Sequence, residues 1–408
     1  MTTTESTTTK PGIARLAGID LARGLAVFGM FGAHVGPDPS IGGVTGVLME
    51  FVQGRSSVLF ATLAGLSLAI MSGRQEPLTG VPWRQAAGRI AIRGVILLLC
   101  GTALTMTGTT VVVILAYYGV YFLLTLPFTR LRAPALALIA AGTAIAGPLL
   151  SFVVRRFLDS SGWGQAITTH DPVEAIGGEG VVRLLFTGSY PVATWLPFVF
   201  AGLALGRLDL AAAVTRVRLA VLGPALVLAG YGGSWLAIRL FGVTDLVGND
   251  AVPGSGKLPG PGGVLELGYQ DGDRWVASGA VNTDTPAWLL VSSPHSGTPF
   301  EIAGSVGVAI TVLVCALVLT DKLPRLRVWR PVTAVGSMSL TAYTGHVVAI
   351  AVFGLSGAQG EPPAVLLGFI AGAIVFALVW SRFFRRGPLE YLLHEATKPA
   401  LRLGRKPA

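Results

Sequence analysis

The sequence predicts an all-α membrane protein, a polytopic helix bundle of about ten transmembrane helices with both termini in the cytoplasm. Three observations predict it. Mean hydropathy is +0.67. Hydrophobic residues make up 52% of the 408 and charged residues only 12%, where a soluble domain has about a quarter of its residues charged. Lys and Arg gather in alternate connecting segments with roughly threefold asymmetry, the pattern of positive residues left inside.

The apolar runs are Ile19 to Gly36, Ser56 to Ser72, Ala87 to Met106, Thr110 to Phe128, Pro134 to Val154, Tyr190 to Leu208, Leu219 to Leu240, Glu301 to Leu319, Pro331 to Leu355 and Ala364 to Phe384. Each is of the length that crosses a hydrocarbon layer about 30 Å thick. The third and fourth require a tight turn at Thr107-Gly108-Thr109, which glycine permits. Residues 1–14 read as a disordered cytoplasmic tail, 15–386 as the membrane domain and 387–408 as a basic cytoplasmic tail. The outer segments at 155–189 and 242–299 are long enough to be functional.

Composition excludes several classes. The net charge of +9 is spread over short segments between apolar runs, which marks topology rather than nucleic-acid binding. Cys100 and Cys315 lie inside apolar runs without paired spacing, so neither a disulfide framework nor a metal site is expected, and both should pack as small hydrophobes. The Thr-rich start from Thr2 to Thr9 lacks the basic region and cleavage site of a secretory signal. The first helix should therefore remain as an anchor in the cell membrane. Gly256-Lys257 does not complete a phosphate-binding loop, and HExxH, CxxC and GxSxG are absent from the sequence.

The first helix carries Asp20, Arg23 and His34. At about 100° per residue Arg23 and His34 lie within roughly 20° of each other, and Asp20 lies on the same face. Ionisable groups inside a membrane are costly and mark function. A structural ion pair between Asp20 and Arg23 is the plainer reading of the first two. Of the five histidines, His34, His170, His295 and His346 fall on the outer side and His394 on the inner side of this topology. Imidazole exchanges protons near neutral pH, so an outer group of them suits general base catalysis. Ser339, Tyr343 and His346 share one helix face by their spacing. Arg55 opens the second span at its outer end, where it can meet an anionic group. Arg89 and Arg93, four residues apart at the inner end of the third span, can hold phosphates from the cytoplasmic side.

The segments Arg15 to His34, Gly54 to Gly73, Gly336 to His346 and Pro294 to Gly307 carry a family likeness. Through them the chain resembles bacterial transmembrane acyltransferases related to the catalytic domain of heparan-α-glucosaminide N-acetyltransferase, together with the YeiB-like membrane proteins. The resemblance implies transfer of an acyl group, usually acetyl, from cytoplasmic acetyl-CoA or another acyl-CoA to an acceptor at the outer face. It also implies a catalytic histidine near the outer end of the bundle, the position of His34. Asp20, Arg23 and His346 complete the expected catalytic set, Arg89 and Arg93 the donor site, and Arg55, Ser339, Tyr343 and His295 the acceptor site.

The expected partners are the lipid bilayer, an envelope sugar or glycolipid acceptor and a second copy of the chain. A secondary transporter with an Asp/Arg/His proton relay is the alternative from another class. A structural subunit of an envelope complex, using the polar face against a partner helix, is a third.

Overall fold

The computed structural model describes residues 13–175, 177–242, 269–271, 274–276, 281–323 and 327–403. The expected N-terminal tail thus lies outside the described residues except for Ile13 and Ala14, which begin the first helix rather than a disordered tail. The Gly- and Pro-rich stretch 248–263 also lies outside them.

The helices are α1 (Ile13–Val35), α2 (Gly43–Val52), α3 (Arg55–Met71), α4 (Gly80–Thr105), α5 (Leu115–Thr125), α6 (Ala133–Ser161), α7 (Trp163–His170) and α8 (Pro172–Ala175). They continue with α9 (Val192–Gly206), α10 (Ala213–Val227), α11 (Gly233–Leu240), α12 (Pro299–Lys322), α13 (Arg330–Ser337), α14 (Ser339–Phe353), α15 (Pro363–Phe383) and α16 (Pro388–Ala396). A π-helical turn, Leu228–Gly232, joins α10 to α11. The described strands are β1 (Tyr269–Asp271) and β2 (Arg274–Val276), which pair antiparallel inside the long segment after α11.

Each apolar run of the sequence contains a helix, so the helical membrane architecture is borne out. Five helical segments are long and apolar enough to cross a membrane: α4, α6, α10 with α11, α12 and α15. The number becomes seven if α2 with α3, bent by 43°, and α13 with α14, bent by 85°, each form one span. Helices α5 and α9, at 11 and 15 residues, are shorter than that test requires. Helix α1 has the length, 23 residues, but its Asp20, Arg23 and His34 lower its hydropathy. The tight turn after α4 is present, with Gly108 at φ 72°.

Helix α1 is the hub, packing on α3, α12, α13, α14 and α15. Gly336 of α13 lies so close to the Asp20 carbonyl and the Gly24 nitrogen that any side chain there would collide with the α1 backbone. Small residues at such crossings are how membrane helices approach. Around this hub α3 packs on α9, α9 on α6, α4 on α5 and α10 on α12. The rings of Trp195, Tyr117, Tyr121, Tyr343, Phe31 and Phe198 are fully buried between them. Cys100 and Cys315 are both exposed on the bundle surface, not packed inside as the sequence suggested. An apolar surface is compatible with a lipid-facing thiol, because a membrane places no premium on burying small apolar groups.

Candidate functional site

Helix α1 delivers His34 to one end of the bundle, and its last turn is fastened from outside. The carbonyl of Gly36 accepts hydrogen bonds from the N–H groups of Gly360 and Glu361, at 2.9 and 3.2 Å. Gln359 Nε2 donates to the carbonyls of Gly32 at 3.2 Å and Met49 at 3.0 Å. The Gly36 carbonyl just past the helix end is thereby satisfied, and the Gly32 carbonyl, which already accepts the Gly36 N–H at 3.1 Å, takes Gln359 as a second donor. These bonds fix the turn on which His34 sits.

His34 meets His346 of α14. Their Nδ1 and Nε2 atoms are 2.9 Å apart, and the rings are 5° from parallel with centroids 5.2 Å apart. His346, 3% exposed, is clamped by Phe31 and Tyr343, with ring centroids at 4.8 and 5.0 Å. Its Nδ1 bonds the Tyr343 carbonyl. A carbonyl only accepts, so in the neutral ring this Nδ1 carries the proton and Nε2 the lone pair. His34 Nδ1 must then donate to that lone pair, leaving His34 Nε2 as an unprotonated nitrogen. The direction of the chain is thereby set from the Tyr343 carbonyl outward to His34 Nε2.

A third imidazole stands close by. His295 lies in the loop before α12, in the left-handed region at φ 61°. It packs on Gly54, itself at φ 65°, where an added Cβ would stand 2.9 Å from Pro294 Cβ and 3.4 Å from His295 Cδ2. Its ring stacks on Trp195 and meets Tyr190 edge-on, with centroids at 5.7 and 5.4 Å. The Ser189 carbonyl accepts from the ring, whereas the buried Nδ1 has no hydrogen-bond partner among the described residues. Burial pushes this imidazole down to about 4, so it is neutral at neutral pH. His34 is within its electrostatic range. Behind the loop, Arg155, Ser151, Thr194 and Ser296 line a cavity of about 10 Å³, room for about one water.

Arg55 forms the rim of the same end. Its Nε donates to the Tyr231 hydroxyl at 3.2 Å and Nη1 to the Glu50 carbonyl at 3.3 Å, with the guanidinium 5.0 Å from the Tyr231 ring centroid. The Tyr231 and Ser305 oxygens are 3.0 Å apart, and Ser305 Oγ donates to Glu301 Oε1 at 2.9 Å. Glu301 is 3% exposed. A buried carboxylate and an arginine are thus joined through two hydroxyl groups.

The opposite end of α1 is a cluster of guanidinium groups. Arg23 Nη1 pairs with Asp20 at 3.0 Å, and Nη2 donates to Ser67 Oγ at 2.7 Å. Arg93 lies within electrostatic range of Arg89, Arg386 and Arg23, and its buried Nε has no acceptor among the described residues. Burial, with the charges of Arg386 and Arg89 added to it, holds the pKa of His394 on α16 below the ordinary imidazole value. Arg23 and His34 are separated by about 16 Å along α1.

The structure therefore brings together His34, His346, Tyr343 and His295, and separately Asp20, Arg23, Arg89 and Arg93. Tyr343 is spoken for, since its hydroxyl accepts from the Ile114 N–H at 3.1 Å. Ser339 starts α14 at the bend, about 10 Å of helix rise from His346, and does not join the histidines. His170 bonds the Ala166 carbonyl on an exposed face. Asp171 nearby takes N–H groups of Val181, Val173 and Glu174, which hold its carboxyl below the usual range and latch the loop. Glu301, Tyr231, Gln359 and Arg386 were not singled out from the sequence. Only Glu301 carried a signal there, as the last residue of Thr298-x-x-Glu301, whose Thr298 Oγ1 caps α12. Among the described residues no group of three or more His, Cys, Asp or Glu side chains is placed to hold a metal ion.

An all-helical membrane bundle with imidazoles at one end of its central helix and guanidinium groups at the other defines the class. Residues 15–240 match the model of the heparan-alpha-glucosaminide N-acetyltransferase catalytic domain, and residues 277–399 match a protein family of unknown function, DUF418. The first match spans over half of the chain, which belongs to the heparan-alpha-glucosaminide N-acetyltransferase catalytic family. No curated protein matches it. His34 lies in the first matched segment and His346 in the second, so the imidazole pair is assembled across both.

Proposed function

We propose that this protein is an integral membrane acyltransferase of the plasma membrane, with ten spans and both termini cytoplasmic. It moves an acetyl group from acetyl-CoA, held at the arginine end, to a hydroxyl or amine of an envelope sugar or glycolipid at the histidine end. The observation that carries this is the bare His34 Nε2, oriented by His346 on the same helix whose other half enters the arginine cluster. Arg89, Arg93 and Arg386 bind the donor phosphates, for which planar guanidinium groups are suited. The pantetheine arm then lies along α1 toward His34.

The acceptor hydroxyl or amine attacks the thioester carbonyl carbon while His34 Nε2 takes its proton. The new carbon–oxygen or carbon–nitrogen bond forms as the carbon–sulfur bond breaks, and the CoA thiolate leaves with its electron pair. The proton returns from His34 to the thiolate. His346 stabilises the His34 imidazolium through the Nδ1–H bond, the part a carboxylate plays in a catalytic triad. Arg55 and His295 border the acceptor. The Asp20–Arg23 pair, closed by Ser67, supports the enzyme over a proton relay, because both charges are already matched inside the bundle.

The test is transfer of labelled acetyl from acetyl-CoA to an envelope glycolipid extract by the purified protein in nanodiscs, with calorimetric titration of acetyl-CoA beside it. Saturable binding that weakens in Arg93→Ala, and transfer lost in His34→Ala with binding retained, support the reading. Absence of acetyl-CoA binding by folded protein sinks it.

A further inference from the structure

Helix α14 begins abruptly. Helix α13 ends at Ser337, the axis turns through 85°, and α14 starts at Ser339. A helix that starts inside a bundle leaves its first N–H groups without carbonyl partners. Its own cap residue, Met338, makes no side-chain capping bond. The acceptor comes instead from α16. Glu390 Oε1 accepts from the N–H groups of Leu340 and Thr341, at 2.8 and 3.1 Å, and Oε2 accepts from the Thr341 hydroxyl at 2.6 Å. The Leu389 N–H closes the exchange by donating to Thr341 Oγ1 at 3.1 Å.

The same C-terminal segment reaches the arginines. His394 of α16 is within electrostatic range of Arg386 and Arg89. The 3-10 turn that follows, Lys398–Arg402, packs on α4. There Gln85 Nε2 donates to the carbonyls of Leu401 and Leu403, at 3.0 and 3.3 Å. The segment is therefore tied on one side to the helix that bears Arg89 and Arg93, and on the other to the helix that bears Tyr343 and His346.

We infer that Glu390 is a positioning residue for the histidine pair and couples occupancy of the arginine end to it, an inference that rests on the acyltransferase reading. His346 lies six residues beyond Leu340, about 9 Å along one continuous helix. Its contact with His34 depends on where α14 stands. A carboxylate at a helix N-terminus is favourable electrostatically as well as by hydrogen bonding, so Glu390 sets the start of α14. An anionic ligand that draws Arg89 and Arg386 toward it moves α16 and, through Glu390, the His346 ring.

The experiment compares Glu390→Ala and Glu390→Gln with the wild-type protein in nanodiscs, reading kcat for acetyl transfer, the Kd for acetyl-CoA and the rate at which diethyl pyrocarbonate modifies His34. Glu390→Ala is expected to lower kcat by about 10- to 100-fold, the scale of a misplaced catalytic group, with Kd within about twofold of wild type. Glu390→Gln, whose amide oxygen still serves both N–H groups, is expected to recover kcat to within about threefold. Acetyl-CoA is expected to change the modification rate of His34 in the wild type and in Glu390→Gln but not in Glu390→Ala. A kcat unchanged in Glu390→Ala, or a Kd that weakens in proportion to it, overturns the inference. If Glu390→Ala does not fold, Glu390→Asp, one methylene short of both N–H groups, takes its place with the same expectations. A wild-type protein without any acetyl transfer defeats the acyltransferase reading instead, and the His34 modification rates then decide the coupling alone.

Discussion

His34 Nδ1 lies 2.9 Å from His346 Nε2 with the two rings 5° from parallel, although 312 residues separate them in the chain. Two imidazoles in this arrangement share one proton between them, and the Tyr343 carbonyl behind His346 decides which nitrogen holds it. The consequence is a base with a fixed tautomer, preorganised before any substrate arrives.

That relation separates the roles of the two rings. His34→Gln removes the base, and acetyl transfer should fall by about 10² to 10⁴-fold. His346→Phe keeps a ring between Phe31 and Tyr343 but removes the acceptor for His34 Nδ1–H. It should lower kcat by about 10- to 100-fold, with acetyl-CoA affinity unchanged. Initial rates and calorimetry on the same preparations check both. Equal kcat in His346→Phe and wild type would show that the tautomer is not held by His346.

The arginine end makes a prediction about charge. Arg386 was not expected from the sequence, yet it lies within electrostatic range of Arg93 and His394. Arg386→Ala should weaken acetyl-CoA binding by about tenfold, the scale of one charge-assisted hydrogen bond, and lessen the dependence of Kd on salt. Binding of acetylpantetheine, which lacks the nucleotide phosphates, should be the same in variant and wild type. Calorimetry at two ionic strengths distinguishes the outcomes.

How much of this was legible depends on the range of each interaction. Helical periodicity put Asp20, Arg23 and His34 on one face of one helix, and their spacing along α1 needed no tertiary information. The Asp20–Arg23 pair is a contact three residues apart, so it too could be read. His346 was visible as a polar residue on an apolar helix, but its partner was not, because periodicity carries no register between distant helices. Ser339, Tyr343 and His346 do lie on one continuous helix, as their spacing implied, but a shared face is not a shared site, because Ser339 starts that helix at the 85° bend about 10 Å from His346. Glu390 and Arg386 lie in a short basic segment that resembles a topology signal, and such a segment looks the same whether its charges face water or a site. The segment 37–55, between the first two apolar runs, contains α2, which no run revealed because it is only 10 residues long and short apolar helices are indistinct from loops by hydropathy.

His295 gives the loop before α12 a dependence on pH. Its pKa is lowered by burial from 6.5 to about 4, so the docked loop binds fewer protons than the undocked one between those values. Stability that depends on a depressed imidazole is complete above the undocked value and is lost as pH falls through the window toward 4. Protection of residues 292–298 in nanodiscs, taken as exchange relative to the intrinsic rate at each pH, should therefore be constant above about pH 6.5 and should fall on acidification below it. His295→Gln, which does not titrate, should flatten that profile. Protection that falls equally in both proteins would trace the effect to another group.

Gly54 tests whether the same loop must be docked for the site to exist. It sits at φ 65° immediately before Arg55, and a Cβ there would stand 2.9 Å from Pro294 Cβ. Gly54→Ala therefore combines left-handed backbone strain, about 1 to 2 kcal/mol, with a contact that the rigid proline ring cannot relieve. The strain falls on the loop and not on α1 or α14, so the His34–His346 pair should survive while Pro294 and His295 are displaced from Trp195 and Tyr190. The expected outcome is a thermal midpoint lowered by a few degrees, an acetyl-CoA Kd unchanged because the arginine end is remote, and a KM for the acceptor raised by about tenfold. Pro294→Gly in the Gly54→Ala background removes the clashing Cβ and should restore part of the acceptor KM. If Gly54→Ala instead lowers kcat with both substrates saturating and leaves the acceptor KM untouched, the loop acts on the histidine pair itself, and His295 belongs with the base rather than with the acceptor.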